Sequence, residues 1–113
     1  MQLIVQIVLE ELKDLGAHIY KVAKTGSVYI KFADERLRSL RIGNHDGREN
    51  YKYKWNLRAD IEKAYEEMDN GVRRFYYSYG EIREFIERIR QYWRTILQDQ
   101  ELMAYPEENI YTD

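Results

Sequence analysis

The apolar positions near the N-terminus recur at the spacing of an amphipathic helix. They lie three or four positions apart, at Leu3, Ile4, Ile7, Val8, Leu12 and Leu15. Gly16 follows them, where glycine commonly ends a helix by adopting a left-handed conformation. The spacing predicts a helix over residues 3–15.

After this helix, apolar and polar positions alternate, as they do in a strand with one buried face. The alternation is weak over residues 17–24, clear over 27–32 and 39–43, and returns over 51–57. Turn-forming residues separate these segments, and the longest break is the loop 43–50. Because short turns join neighbouring strands in antiparallel fashion, the pattern predicts a three- to four-stranded antiparallel meander.

Beyond Arg58 the apolar spacing becomes helical again. A short helix is predicted there, ending near residues 70–71, from the positions of Ile61, Ala64, Tyr65 and Met68. Residues 72–80 (VRRFYYSYG) are compatible with a loop or with a continuation of that helix. A long helix follows, because Ser78 and Glu81 have the spacing of a capping box and an apolar stripe runs from Ile82 to Leu97.

These elements predict one domain of the α+β class, which a length of 113 residues accommodates. We expect an N-terminal helix, the antiparallel sheet and two C-terminal helices packed on one sheet face, all within residues 1–104. The acidic residues 105–113 are expected to form a loose C-terminal tail.

The composition excludes several classes of protein. The chain contains no cysteine, which rules out thiol catalysis, disulfides and thiolate metal sites and fits a reducing cytoplasm. The N-terminal segment has neither the basic start of a signal peptide nor the ~20 apolar residues of a membrane span. A net charge of −2 does not favour non-specific nucleic-acid binding by the whole chain, although a local basic patch remains compatible with it.

Alternation also separates apolar from basic residues across the predicted sheet. The face expected to meet the helices carries Val28, Ile30, Phe32, Leu40, Ile42, Tyr53 and Trp55. The opposite face carries Tyr29, Lys31, Arg41, Lys52 and Lys54. Arginine can clamp a phosphate through two hydrogen bonds and lysine acts as a point charge, so this face is a candidate anion site. The alternative is a solvated face whose charges prevent edge pairing.

Two further segments are candidates for ligand binding. In the loop 43–50, a turn does not require His45 or Arg48, which form a recognition pair for phosphate or carboxylate or, alternatively, a solvated turn. In residues 72–80, arginine lies beside tyrosine rings, which suit stacking on a base. The alternative is that this segment is a hinge packed in the core or a contact in a homodimer. The candidate ligand-binding residues are Arg41, His45, Arg48, Lys52, Lys54, Arg73, Tyr76 and Tyr77.

The sequence lacks the motifs that would indicate an enzyme, including a serine-nucleophile motif, a P-loop and a dinucleotide fingerprint. With no cysteine and only His18 and His45 as imidazole ligands, the pattern does not predict a metal site either. We therefore expect a protein without catalytic residues or cofactors.

The segments SVYIKF and SLRIGNHDGRENYKYKWNL resemble small uncharacterised proteins of bacteriophages and mobile elements. The layout of a strand-rich N-terminal half followed by two helices resembles the Thoeris anti-defence sponge family. This resemblance implies a homo-oligomer that sequesters cyclic nucleotide immune signals, such as cyclic ADP-ribose isomers, without degrading them.

The leading hypothesis is a non-enzymatic, phage-type anti-defence protein in the cytoplasm of a bacterial host cell. It would bind a nucleotide-derived signal, either cyclic ADP-ribose or a cyclic dinucleotide. One alternative is an inhibitor that binds a host defence protein such as a CRISPR nuclease, through an acidic helix face with Glu62, Glu66 and Glu67 and through Glu107 and Glu108. The other alternative is a small nucleic-acid-binding protein that uses the basic sheet face.

Overall fold

The computed structural model describes the backbone of residues 1–47 and 50–112 and the side chains of residues 1–47 and 51–100. The chain order of helices and strands is α1 (Gln2–Glu11), β1 (His18–Val22), β2 (Val28–Lys31), β3 (Leu40–Gly43), β4 (Trp55–Arg58), β5 (Tyr65–Asp69), β6 (Val72–Ser78) and α2 (Ile82–Thr112). Short 3₁₀ turns cover Lys13–Leu15, Glu35–Leu37, Asn50–Lys52 and Tyr79–Glu81. The predicted α+β class and the N-terminal helix are confirmed.

The strands form one mixed, six-stranded sheet in the order β1-β2-β3-β4-β6-β5. The pairs β1/β2, β2/β3 and β5/β6 are antiparallel, whereas β3/β4 and β4/β6 are parallel. The predicted antiparallel meander is therefore wrong after β3. The connection between β3 and β4 is therefore a crossover and not a hairpin loop, because β4 runs parallel to β3.

The hydrophobic core lies between α1, α2 and one face of the sheet, which we call the helix face. Two rows of side chains cross this face in register, and they consist of Ile30, Leu40, Trp55 and Phe75, and of Val28, Ile42, Leu57 and Tyr77. These rows are covered by Val8 of α1, by Leu12 directly after α1, and by Phe85 and Ile89 of α2, all fully buried. Burying each such side chain stabilises the fold by about 1.5–3 kcal/mol.

The helix predicted from Ile61 to Met68 does not form, because residues 65–69 are the strand β5 and residues 61–64 are irregular. A two-residue turn, Asn70-Gly71, joins β5 to β6, and both turn residues have positive φ angles of 50° and 79°. An Asn-Gly pair in this conformation matches the twist of a β-hairpin, so it connects two strands instead of ending a helix. The hairpin places Glu66 and Glu67 on opposite faces of the sheet, and the predicted acidic helix face does not exist.

The predicted capping box is confirmed. The backbone amide and the hydroxyl of Ser78 both donate to Glu81 Oε1, over 3.2 and 2.8 Å. The chain then continues as α2, which makes one C-terminal helix instead of two. The backbone of α2 runs to Thr112 through residues predicted to be a loose tail.

Candidate anion-binding site

The sheet face opposite the helices, which we call the second face, is only in part the basic face expected from the alternation, because Lys31 and Lys52 are exposed but Arg41 is not. Arg41 is only 2% exposed there, and its guanidinium donates to Ser27 Oγ over 2.9 Å and to the carbonyl of His45 over 3.3 Å. From the end of the crossover, just before β4, Tyr53 packs on this face against Tyr29, with 5.0 Å between the ring centroids. Arg41 is therefore a buried structural cation, and Tyr53 lies opposite to its predicted face.

The turn pair predicted from the loop is only half described. The ring Nδ1 of His45 lies 2.6 Å from the carbonyl oxygen of Asp46, and the His45 carbonyl accepts from Arg41. These contacts give His45 a structural role in anchoring the crossover. Arg48 lies outside the described residues.

The two tyrosines predicted to stack on a base point in opposite directions, because they are neighbours in β6. Tyr76 is 2% exposed on the second face and stacks on Tyr65 at 4.5 Å. Tyr77 is half-buried on the helix face, edge-on to Phe85 at 5.4 Å. Neither ring lines the two cavities described next. The prediction that Tyr76 and Tyr77 share a ligand site with Lys54 is therefore wrong.

The remaining predicted residues, Lys52, Lys54 and Arg73, lie at two cavities that share Lys54. Lys52 and Lys54 line a cavity of about 330 Å³ at the start of β4, which we call the narrow cavity. Its lining residues are Lys31, Phe32, Glu35, Arg38, Ser39, Lys52, Lys54 and Arg74. Basic side chains thus outnumber the single carboxylate on its wall.

A second cavity of about 640 Å³, which we call the wide cavity, lies between α2 and the start of β6. Its lining residues are Lys54, Met68, Gly71, Arg73, Phe75, Arg88, Gln91, Tyr92, Arg94, Thr95 and Gln98. Among the residues whose side chains the structure describes, this wall carries no carboxylate. Lys54 is the one residue common to both cavities, and we call the two cavities together the Lys54 site.

Lys54 is held by a carbonyl group and aromatic rings rather than by an acid. It is 8% exposed, and its Nζ donates to the carbonyl of Arg73 over 3.0 Å. The same Nζ lies over the rings of Tyr92, Phe75 and Trp55, at 4.7, 5.2 and 5.6 Å from their centroids. Within the part of the chain whose side chains are described, no carboxylate forms an ion pair with Lys54.

Burial lowers the pKa of the Lys54 ammonium from its ordinary value of 10.5, and nearby positive charge lowers it further. The contributing guanidinium groups belong to Arg38, Arg88, Arg73 and Arg74, in that order. A bound anion would offset both effects, because opposite charge favours the protonated amine. The electrostatics of the folded chain therefore favour an anionic ligand beside Lys54.

Sequence reasoning missed Arg38, Arg74 and Arg88. Arg74 was adjacent to a predicted residue, and alternation along β6 was the signal that would have placed it opposite Arg73. Its buried Nε lies 3.5 Å from Asp69 Oδ2 without forming a hydrogen bond. Arg88 lies with its guanidinium 4.7 Å from the Phe75 ring, a contact between helix and strand that no local pattern indicates.

Arg38 has a strained backbone at the mouth of the narrow cavity. Its φ of 70° and ψ of −169° belong to a region that is populated almost only by glycine. Its side chain is exposed, so packing of that side chain does not offset the strain. A strained residue at a cavity is a reason to look for function there.

We expect Arg38→Gly to raise the free energy of unfolding by about 1 kcal/mol. Relief of roughly 1–3 kcal/mol of strain exceeds the additional chain entropy of glycine, which costs about 0.5–1 kcal/mol. Urea denaturation at neutral pH measures the change. The control is Asn70→Gly, because asparagine tolerates its φ of 50° and little strain is relieved there. A less stable Arg38→Gly variant would contradict the strain argument.

No protein-family model, curated protein or solved structure matches the chain. Neither helix in the described part of the chain combines the length and apolar character needed to cross a membrane. The described side chains also contain no cluster of three or more histidine, aspartate or glutamate residues that could hold a metal ion.

Proposed function

We propose that the protein binds a phosphorylated, nucleotide-derived small molecule at the Lys54 site and sequesters it without converting it. The observation that carries this proposal is a buried lysine that borders two cavities, has four arginines around it and forms no ion pair with a described carboxylate. Sequestration of an immune signal in a bacterial host, as the sequence resemblance implies, is the biological form of this proposal.

Phosphate is the anion that this arrangement suits best. A guanidinium donates two parallel hydrogen bonds to a phosphate, and such charge-assisted bonds are about twice as strong as neutral ones. Lysine adds a compact charge that needs no fixed direction. Partial burial strengthens both interactions because the local dielectric constant is lower than that of water.

The proposal predicts a thermal shift with phosphorylated ligands that depends on Lys54. A ligand at a hundred times its Kd stabilises the folded state by about 2.7 kcal/mol, so a panel of nucleotides, cyclic dinucleotides and cyclic ADP-ribose should include compounds that raise Tm. We expect Lys54→Met to weaken binding at least tenfold, which is about 1.4 kcal/mol. Calorimetric titration measures this change directly.

Lys63→Met is the matched control, because Lys63 is exposed and the substitution changes the net charge equally. It should bind the ligand like the unsubstituted chain. A panel that leaves Tm unchanged up to millimolar concentration would overturn the proposal. Equal losses in the two variants would show that net charge, and not the Lys54 site, governs binding.

Two further measurements separate sequestration from the alternatives. Mass spectrometry of the released ligand should show it chemically unchanged, and a product would indicate an enzyme. Titration of single-stranded nucleic acid at rising salt tests the nucleic-acid alternative, whose affinity would fall steeply between about 50 and 200 mM salt. The oligomer that the resemblance implies is measured by light scattering with and without ligand.

A further inference from the structure

The basic residues of the Lys54 site divide into two groups. Arg73 and Arg74 are neighbours in β6, and neighbouring side chains of a strand point to opposite faces. Arg73 lines the wide cavity beneath α2, whereas Arg74 lines the narrow cavity. Lys54 forms the common wall, so positive charge lies on both of its sides.

Each cavity has at least one guanidinium that forms no ion pair within residues 1–47 and 51–100. In the narrow cavity this residue is Arg38. Its backbone is strained, and its exposed side chain lines the cavity. In the wide cavity it is Arg88, which lies over Phe75 and donates only weakly to Gln91 Oε1, over 3.5 Å. Each cavity therefore keeps capacity for its own anion.

The other charges of the wide cavity are already partly paired. The Nε of Arg73 lies 3.5 Å from Glu66 Oε2, and the Nη2 of Arg94 lies 2.6 Å from Glu87 Oε1. Arg88 is thus the cation on this side with most of its charge available to a ligand. A ligand group here would also meet the side-chain amides of Gln91 and Gln98 and the ring of Tyr92, which suit a polar heterocycle.

From this division we infer that the ligand carries two anionic groups held apart on one small molecule, one in each cavity and on either side of Lys54. The inference rests on the proposed function and narrows its ligand class. Two separate phosphates satisfy both cavities at once. A chain of adjoining phosphates concentrates its charge in one cavity and leaves the guanidinium of the other without a partner.

Calorimetric titration at constant ionic strength tests this inference with AMP, ATP and adenosine 3′,5′-bisphosphate. ATP matches the bisphosphate in net charge near neutral pH but carries its phosphates on one side of the ribose. We expect the bisphosphate to bind at least tenfold more tightly than either of the other compounds. Arg38→Gln and Arg88→Gln should each reduce its affinity to about that of AMP.

The variants separate the two cavities. AMP has one phosphate, so only one of the two substitutions should weaken its binding. If one of the three compounds binds poorly, both variants can still be tested with the other two. ATP binding as tightly as the bisphosphate would overturn the inference while leaving phosphate binding intact. An equal loss of AMP affinity in the Arg38→Gln and Arg88→Gln variants would also overturn the inference while leaving phosphate binding intact. If none of the three compounds binds, the proposed function fails and the inference fails with it.

Discussion

Replacing Gly43 with alanine is expected to lower the free energy of unfolding by roughly 3 kcal/mol, the upper end of the cost of overpacking a core. A Cβ at this position would lie 2.7–2.9 Å from the guanidinium atoms of Arg41. That guanidinium is buried and held by Ser27 and His45, so it cannot move aside without leaving hydrogen-bonding groups unpaired. Urea denaturation gives the change directly.

A double-mutant cycle identifies the cause. In an Arg41→Met background the obstructing guanidinium is gone, and Gly43→Ala should then cost less than about 1 kcal/mol. Gly80→Ala is the matched control, because a Cβ there would lie no closer than 3.9 Å to Ser78 Oγ. An equal cost of Gly43→Ala in both backgrounds would show that Arg41 is not the obstacle.

The second large effect is a loss of stability in alkali that depends on Tyr76. Burial, and then the nearby carboxylate of Glu67, raise the pKa of the Tyr76 phenol from 10.0 to about 12. The neutral phenol is therefore favoured in the folded state. Its stabilising contribution is complete below pH 10 and is lost as pH rises towards about 12, by up to roughly 2.5 kcal/mol.

Tyr76→Phe should remove this part of the pH dependence, because phenylalanine has no proton to lose. Chemical denaturation between pH 8 and 11.5 measures the free energy of unfolding for both chains. Below about pH 9 the phenol is neutral in the folded and unfolded states, so the two chains are compared there for any difference unrelated to ionisation. Parallel curves across the whole range would exclude Tyr76 as the group responsible.

The first half of the fold was accessible from the sequence because its contacts are local. The strands β1 to β3 pair with their chain neighbours across short turns, and alternation places Ile30 and Leu40 in the core as predicted. The hairpin at Asn70-Gly71 was equally local, but the helical spacing of Tyr65 and Met68 concealed the turn signal. Both side chains are exposed in the structure, so their spacing did not mark a buried helix face.

The parallel pairing of β4 with β3 and β6 was not accessible in the same way. Parallel strands are brought together by crossovers whose length and path depend on what they cover. Tyr29, Arg41 and Asn56 are buried on the second face, and Tyr53 packs against Tyr29 there from the segment just before β4. Of the basic residues predicted on that face, Arg41 is buried, whereas Lys31, Lys52 and Lys54 line the narrow cavity.

The candidate site shows the same division. The sequence indicated Lys52, Lys54 and Arg73 as candidate ligand-binding residues, and the fold places all three at the Lys54 site. It also indicated Arg41, which the crossover buries. Arg38 and Arg88 join the Lys54 site only through a strained turn and a helix that docks on β6, and neither arrangement has a periodic signature.

By itself, the sequence determined the class of the fold, most of the apolar face of the sheet, the capped start of α2 and a group of basic residues that could bind an anion. These features depend on periodicity and on bonds between residues close in the chain. Only the tertiary structure decided which basic residues are buried, which share a cavity and which lie apart. That outcome depends on long-range packing of the crossover and α2 against the sheet, where burial and neighbouring charge are set by residues distant in sequence.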